Sequence, residues 1–198
     1  MSEKYQNKYR IKSARLPNYD YSSNGMYFIT ICTQDRIHHF GNVVNEEMYL
    51  SDIGKLAQKF WAEIPEHFPF VILGEFIIMP DHMHGILIIN KPIEKIDDEK
   101  SLPLPAQTLQ CKVSGNGNDN STGNKKQFMS DISPKPGSIS TIIRSYKSAV
   151  TKHARKIDSN FGWQTRFHDH IIRDTRAFDR ISNYIKNNPR QWGNKKKK

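Results

Sequence analysis

Residues 70–89 read FVILGEFIIMPDHMHGILII, two apolar runs separated by Met79-Pro80-Asp81. Both runs are rich in β-branched and aromatic residues, and a proline disfavours one continuous central strand. We therefore predict two strands, at 70–78 and 84–89, that pair antiparallel across the break. Two histidines, His82 and His84, stand where the second strand begins.

The flanking sequence supplies further strands and three helices. Extended structure is predicted for 27–33, for a hairpin over 41–50 and for 163–173. Apolar residues recur at helical spacing in 52–64, 139–150 and 175–188. Ser51 or Asp52 and Asp174 are candidate N-caps, and Pro65 and Pro189 mark the ends of the first and third helices. This order predicts an α+β sandwich, with helices packed against a mostly antiparallel sheet.

The composition suits one domain that spans residues 1–198 and carries a strong positive charge. The chain has 36% hydrophobic residues and a formal charge of +10, which attracts polyanions such as nucleic acid. Polar residues dominate 90–137, which we predict to be a disordered insertion, and the end at 194–198 is a basic tail. A solvated basic surface would also explain the charge, which therefore decides little alone.

Cysteine usage and hydropathy bear on the location of the protein. Cys32 and Cys111 are far apart and form no CxxC motif, so neither a disulfide framework nor a cysteine zinc site is indicated. The N-terminus lacks the apolar core of a signal peptide, and no apolar run is long enough to cross a bilayer. We expect a soluble, cytoplasmic protein without a membrane partner.

The triplet His82-Met83-His84 is a candidate metal site. Alternate residues of a strand share a face with Cα atoms roughly 6–7 Å apart, so two imidazoles can reach one metal while Met83 enters the core. Exposed histidines at a strand end are more often plain surface residues, and the triplet alone favours that interpretation. His168-Asp169-His170 has the same spacing, but its charged middle residue would have to enter the core, so we rank it lower.

The closing helix adds Tyr184 and Asn188, which are four residues apart and therefore share a helical face. Each also has a purely structural interpretation: Tyr184 as a core residue and Asn188 as a helix terminus. Together with the histidines they supply what phosphodiester transfer needs, namely a cation at the phosphate and an oxygen nucleophile. Imidazole and oxygen ligands without thiolates favour Mn²⁺ or Mg²⁺ in an open site.

Several basic residues are candidates for DNA contacts, and some could also favour the phenolate form of Tyr184. The candidate DNA contacts are Lys147, Lys152, Arg166, His170 and Arg173. A nearby cation is needed because a free phenol has a pKa of about 10. Lys147, Lys152 and Arg173 are the candidates for that role.

Four stretches of the sequence resemble the REP-associated tyrosine transposases, which are one-tyrosine HUH transposases related to the insertion-sequence single-strand transposases. These stretches are RLPNYDYSSNGMYFITICTQDR at 15–36, EFIIMPDHMHGILII at 75–89, SISTIIRSYKSAVTK at 138–152 and WQTRFHDHIIRDTRAFDRISNYIKNNP at 163–189. The resemblance implies a ferredoxin-like sheet with His82 and His84 on a central strand. It also implies Tyr184 as the nucleophile and Asn188 as a third metal ligand.

The activity implied by this resemblance is metal-dependent cleavage and rejoining of single-stranded hairpin DNA through a 5′-phosphotyrosine. The protein would act as a monomer or a homodimer. A non-catalytic module that binds single-stranded or structured nucleic acid through basic and aromatic residues is the second interpretation. A regulatory or structural protein without nucleic acid is a third, and it would leave the charge and the ligand set as coincidence.

Overall fold

The computed structural model describes residues 4–5, 8–9, 15–16, 19–92 and 135–192. Its strands are β1 Lys4–Tyr5, β2 Lys8–Tyr9, β3 Gly25–Cys32, β4 Gly41–Val44, β5 Glu47–Leu50, β6 Val71–Met79, β7 His82–Ile89 and β8 His168–Ile172. Its helices are α1 Asp52–Ala62, α2 Ile64–His67, α3 Ile139–Ala154, α4 Thr175–Lys186 and α5 Asn188–Trp192. The predicted insertion lies outside the described residues except at its two ends, and the predicted basic tail lies wholly outside them.

The main sheet has four strands in the order β6-β7-β3-β8, and every neighbouring pair is antiparallel. Pro80 and Asp81 form the turn between β6 and β7, as the sequence predicts. β7 begins at His82, two residues earlier than expected, so both histidines belong to a central strand. The α+β class with an antiparallel sheet and packed helices is confirmed.

The two faces of the sheet are covered by different helices. Residues that pair directly across strands share a face, and successive residues alternate. One face, which we call the helix-pair face, packs on α1 and α3. The other, which we call the histidine face, carries both histidines and packs on α4. The helix-pair face contributes Tyr27, Ile29, Ile31, Met83 and Leu87 to the larger core.

The helices begin where the sequence predicts. Ser51 Oγ accepts a hydrogen bond from the Gly54 amide at the start of α1, and Asp174 Oδ1 accepts one from Ala177 at the start of α4. Both side chains are N-caps that satisfy amides left without a partner in the first turn.

The first and third predicted helices end shortly before their prolines, at Ala62 and Lys186, but each proline also belongs to a short further helix that was not predicted. Pro65 lies in the first turn of α2, and Pro189 is the second residue of α5. Amides of a first helical turn have no acceptor within the helix, so proline is tolerated there. The chain therefore turns briefly after α4 and continues as α5 to Trp192.

The ends of the predicted insertion are attached to the sheet domain. The Lys91 amide donates to Asn24 Oδ1, and Asn24 Nδ2 donates to the Lys91 carbonyl. On the other side, Lys135 Nζ lies 3.1 Å from Asp20 Oδ2. Both ends meet the loop that precedes β3. None of the described helices is long and apolar enough to cross a membrane.

Candidate active site

Both histidines of β7 lie on the histidine face, enclosed by protein. His82 pairs with Cys32 and His84 with Thr30 on β3. The two side chains belong to residues only 5% and 6% exposed, and their ring centroids are 4.6 Å apart. Met83 between them is fully buried in the opposite core, as predicted. The strand thus holds two imidazoles side by side.

A second set of side chains orients these rings. His82 Nδ1 donates to Asp81 Oδ1 at 2.5 Å, and Thr30 Oγ1 is 2.8 Å from His84 Nδ1. With both Nδ1 atoms engaged, each ring would bind a metal through Nε2. Neither partner was predicted from the sequence. Asp81 could have been found as the neighbour of His82, whereas Thr30 depends on the pairing of β3 with β7.

Asp81 remains ionised beside His82. Burial by itself raises the pKa of its carboxyl, but the hydrogen bond from His82 and the charges of His82, Arg36 and His38 together hold the pKa below its ordinary value. Arg36 Nη1 lies 3.6 Å from Asp81 Oδ2 and supplies part of that charge. An ionised carboxylate strengthens the imidazole as a ligand.

Tyr184 reaches the histidine pair from α4. Its hydroxyl is 3.3 Å from His84 Nε2, and the two rings are 5.3 Å apart. Phe28 stacks on His84 at 5.2 Å and meets Tyr184 edge-on at 6.2 Å. Lys186 Nζ, 2.9 Å from Glu75 Oε1 on β6, helps to fasten this helix to the sheet. The phenol oxygen therefore lies next to His84 Nε2, the nitrogen through which this histidine would bind a metal.

Asn188 is the residue whose surroundings most clearly point to an absent ligand. It is 1% exposed, yet its Oδ1 and Nδ2 have no hydrogen-bond partner in the part of the chain that is described. Along the chain it lies between Tyr184, which contacts His84, and Trp192, whose ring is 5.6 Å from that of His82. Buried amides are nearly always satisfied, so one left open between two residues that contact the histidine pair fits an oxygen ligand for a cation.

The donor set is compatible with a divalent metal. Within the described ranges no group of three or more His, Cys, Asp or Glu residues gathers, so the third protein ligand would be the Asn188 amide. Two nitrogens and one neutral oxygen leave room for phosphate oxygens and water. Such an open sphere suits a catalytic cation better than a structural one.

The predicted DNA contacts fall into two groups. His170 pairs with Phe28, whose ring meets Tyr184, whereas Arg173 follows the end of β8 that pairs with Met26. Lys147 and Lys152 lie on α3, which packs on the opposite face, so neither is placed to favour the Tyr184 phenolate. Arg166 is exposed in the segment before β8 and is engaged in an interaction of its own.

The sequence has relatives among known proteins. No family model matches the chain. A Haemophilus influenzae protein described as uncharacterized is 37% identical over 182 residues, which are 91% of this chain and 89% of that protein. A second protein of that organism, named "Putative REP-associated tyrosine transposase", is 27% identical over 174 residues, 88% of this chain and 75% of that one.

Among solved structures, a REP-associated tyrosine transposase bound to a REP hairpin superposes with a TM-score of 0.54 at 18% identity, covering 92% of this chain and 75% of that chain. At this identity the superposition establishes a common fold. The chain thus resembles in sequence a protein named as a putative REP-associated tyrosine transposase, and it shares the fold of a solved one.

Proposed function

We propose that this protein cleaves single-stranded DNA and transfers the cleaved strand, with Tyr184 as nucleophile and a divalent cation held by His82, His84 and Asn188. The observation that carries the proposal is the Tyr184 hydroxyl, 3.3 Å from His84 Nε2. The buried amide of Asn188, which has no partner among the described residues, stands four residues later at the start of α5. These two observations support a common site for the nucleophile and the metal ligands.

The cation would be Mg²⁺ or Mn²⁺, since the ligands are nitrogen and oxygen without thiolate. When bound, it would polarise the scissile phosphate and offset the charge that develops on its oxygens. The chain's own residues position the reactants. Phe28 and His84 hold the phenol, and Trp192 covers the ring of His82.

In the cleavage step, the Tyr184 oxygen forms a bond to the scissile phosphorus, and the bond from phosphorus to the preceding 3′ oxygen breaks. The tyrosine proton passes to water, and the departing oxygen takes up a proton. The products are a 5′-phosphotyrosine and a free 3′ hydroxyl. Attack by another 3′ hydroxyl reverses the step and releases Tyr184, so rejoining needs no ATP.

The approach to Tyr184 suits a nucleic-acid strand. A cleft of about 500 Å³ between β8 and α4 is lined by the guanidinium groups of Arg173 and Arg180, together with Asp169 and Asp174, among others. Arg180 and Tyr184 are four residues apart on α4 and so occupy neighbouring positions on its surface. Phosphates that flank the scissile bond would meet these cations. The hairpin in the solved neighbour makes hairpin DNA the substrate to try first.

The decisive experiment uses labelled single-stranded hairpin DNA, incubated with the protein or with Tyr184→Phe, with and without Mn²⁺. We expect a covalent protein–DNA adduct on denaturing gels only when both Tyr184 and metal are present. No adduct over a broad set of hairpins, with binding intact, would refute cleavage. That result would favour the non-catalytic binding module, which needs neither the hydroxyl nor a metal.

The role of Asn188 has its own test, Asn188→Leu. The substitution removes a buried amide without a described partner and keeps a similar volume, so stability should stay the same or rise by about 1 kcal/mol. The Mn²⁺ concentration for half-maximal adduct should rise at least about tenfold, because a ligand is lost. Urea unfolding and a Mn²⁺ titration measure the two effects. A loss of stability without a change in Mn²⁺ dependence would make Asn188 structural.

A further inference from the structure

A basic groove lies on the far side of the sheet from Tyr184. It has a volume of about 540 Å³ and is formed by α3 and the segment that follows Phe161. We call it the α3 groove. The side chains that define it are Lys147, Lys152, Arg155, Trp163 and Gln164. Three cations and no carboxylate are found among its described lining residues.

The cations of the α3 groove are not neutralised by nearby acids of the described chain. Lys147 Nζ donates to the Gln164 carbonyl at 2.6 Å, and Arg155 Nε donates to the Phe161 carbonyl at 3.1 Å. No salt bridge of the described residues involves either of them or Lys152. Half-burial lowers the pKa of Lys147, and no described carboxylate offsets that shift. The groove therefore presents charge that an anion would compensate.

An aromatic platform forms one wall of the groove. Trp163 is half-buried, and its ring packs against Phe40, Phe161 and Tyr146 at centroid distances of 5.4, 5.3 and 5.9 Å. Its Nε1 donates to the Lys147 carbonyl, which fixes the ring plane. A rigid indole beside cations is the combination that binds unpaired bases and their phosphates.

The α3 groove is connected to the end of the sheet that bears His82. Trp163 bridges to Thr33, and the Gln164 amide donates to the Cys32 carbonyl. Cys32 in turn pairs with His82. Two strand spacings place the groove wall roughly 10 Å from His82 along the sheet. A DNA strand that leaves the histidine face at this end of the sheet would therefore reach the α3 groove.

We propose that the α3 groove is a second binding site for single-stranded DNA, in which one unpaired base stacks on Trp163 and neighbouring phosphates pair with Lys152 and Arg155. The inference rests on the proposed function because it takes DNA as the substrate. It is separate from the chemistry, since the groove lies on the opposite side of the sheet from Tyr184.

The first test is Lys152→Ala with Arg155→Ala, made in the Tyr184→Phe background and assayed without metal. Fluorescence anisotropy with labelled oligothymidylate gives the affinity over a range of salt. Each lost phosphate contact should lower the affinity about fivefold at about 0.1 M salt, and together they should make the slope of log K against log salt shallower by about 1.4. Alanine preserves the helix, and circular dichroism checks it.

The matched control is Lys55→Ala with Lys59→Ala on α1, which removes the same charge from side chains 67% and 66% exposed. It should change affinity and slope much less. If the control weakens binding as strongly, only net charge matters and the groove is refuted. If neither pair changes the slope, the groove is also refuted.

The stacking contact is tested by changing the DNA, so that the protein and the packing of Trp163 stay unaltered. Single abasic sites are introduced along the oligothymidylate, and one position should lower affinity about fivefold or more. The loss at that position should shrink in Trp163→Phe, whose ring is smaller. Equal losses at every position, or tighter binding of the annealed duplex than of the single strand, would overturn the stacking model.

The adduct assay separates this inference from the proposed function. With Tyr184 intact and DNA saturating, Lys152→Ala/Arg155→Ala protein should still form adduct. Absence of adduct in the unaltered protein would count against cleavage and leave the groove measurements valid. Loss of adduct at saturation in the double variant alone would place these residues in the chemistry and contradict a separate site.

Discussion

Two strands of the main sheet each carry a pair of histidines separated by one residue, and the surroundings of the pairs are opposite. His82 and His84 on central β7 are buried, hold polar partners and meet Tyr184. His168 and His170 on edge strand β8 are exposed, although they lie on the same face of the sheet. Identical spacing therefore gives two different sites, and the neighbouring elements account for the difference.

The middle residue of each triplet follows the same contrast. Met83 is fully buried in the larger core. The Asp169 side chain is only 4% exposed, and its charge is met by Arg15, whose Nε is 2.9 Å away. Asp169 therefore does enter the interior, as its position between His168 and His170 predicts. A nonlocal arginine makes this possible, and the partner could not be read from the local pattern.

The largest expected effect is on stability and comes from Met83→Asp. This substitution gives the His82-Met83-His84 triplet the same middle residue as the His168-Asp169-His170 triplet. Met83 lies in a core of apolar side chains, so a buried carboxylate there should lower the free energy of unfolding by about 3–5 kcal/mol. Urea unfolding measures it. Met83→Leu is the control and should lose less than about 1.5 kcal/mol. A small loss for Met83→Asp would show that this core admits charge.

The next effect compares the histidines themselves. His84→Ala should slow adduct formation about a hundredfold or more, since a ligand of the catalytic cation is removed. His168→Ala removes an exposed side chain and should change the rate by less than about twofold. Single-turnover adduct kinetics under saturating Mn²⁺ provide the comparison. Equal losses would mean that the edge pair also takes part in the reaction.

The smallest effect concerns the carboxylates beside each pair. Asp81→Asn weakens the support of His82, and it should raise the Mn²⁺ concentration for half-maximal adduct by about 10- to 100-fold. Excess Mn²⁺ should restore the rate, which a merely unfolded protein would not allow. Asp169→Asn should leave the Mn²⁺ dependence unchanged. A shift of similar size in both variants would contradict an orienting role specific to Asp81.

The sequence by itself determined the features that depend on short-range backbone geometry. Alternation along a strand put His82 and His84 on one face with Met83 on the other. Helical spacing was expected to place Tyr184 and Asn188 on one helical face, but α4 ends at Lys186 and Asn188 begins α5. Capping chemistry located the starts of α1 and α4. Pro65 and Pro189 do follow the ends of α1 and α4, but the short helices that contain them were not predicted, because the first turn of a helix accepts proline as readily as the position after a helix end.

Only the tertiary structure decided which distant segments meet. The register of β3 against β7 places Thr30 at His84, and the packing of α4 on the sheet brings the Tyr184 hydroxyl within 3.3 Å of it. The continuation through Pro189 sets Trp192 beside His82, and α3 carries Lys147 and Lys152 to the opposite face. These relations follow from how apolar faces are buried together across the whole chain, which no local spacing encodes.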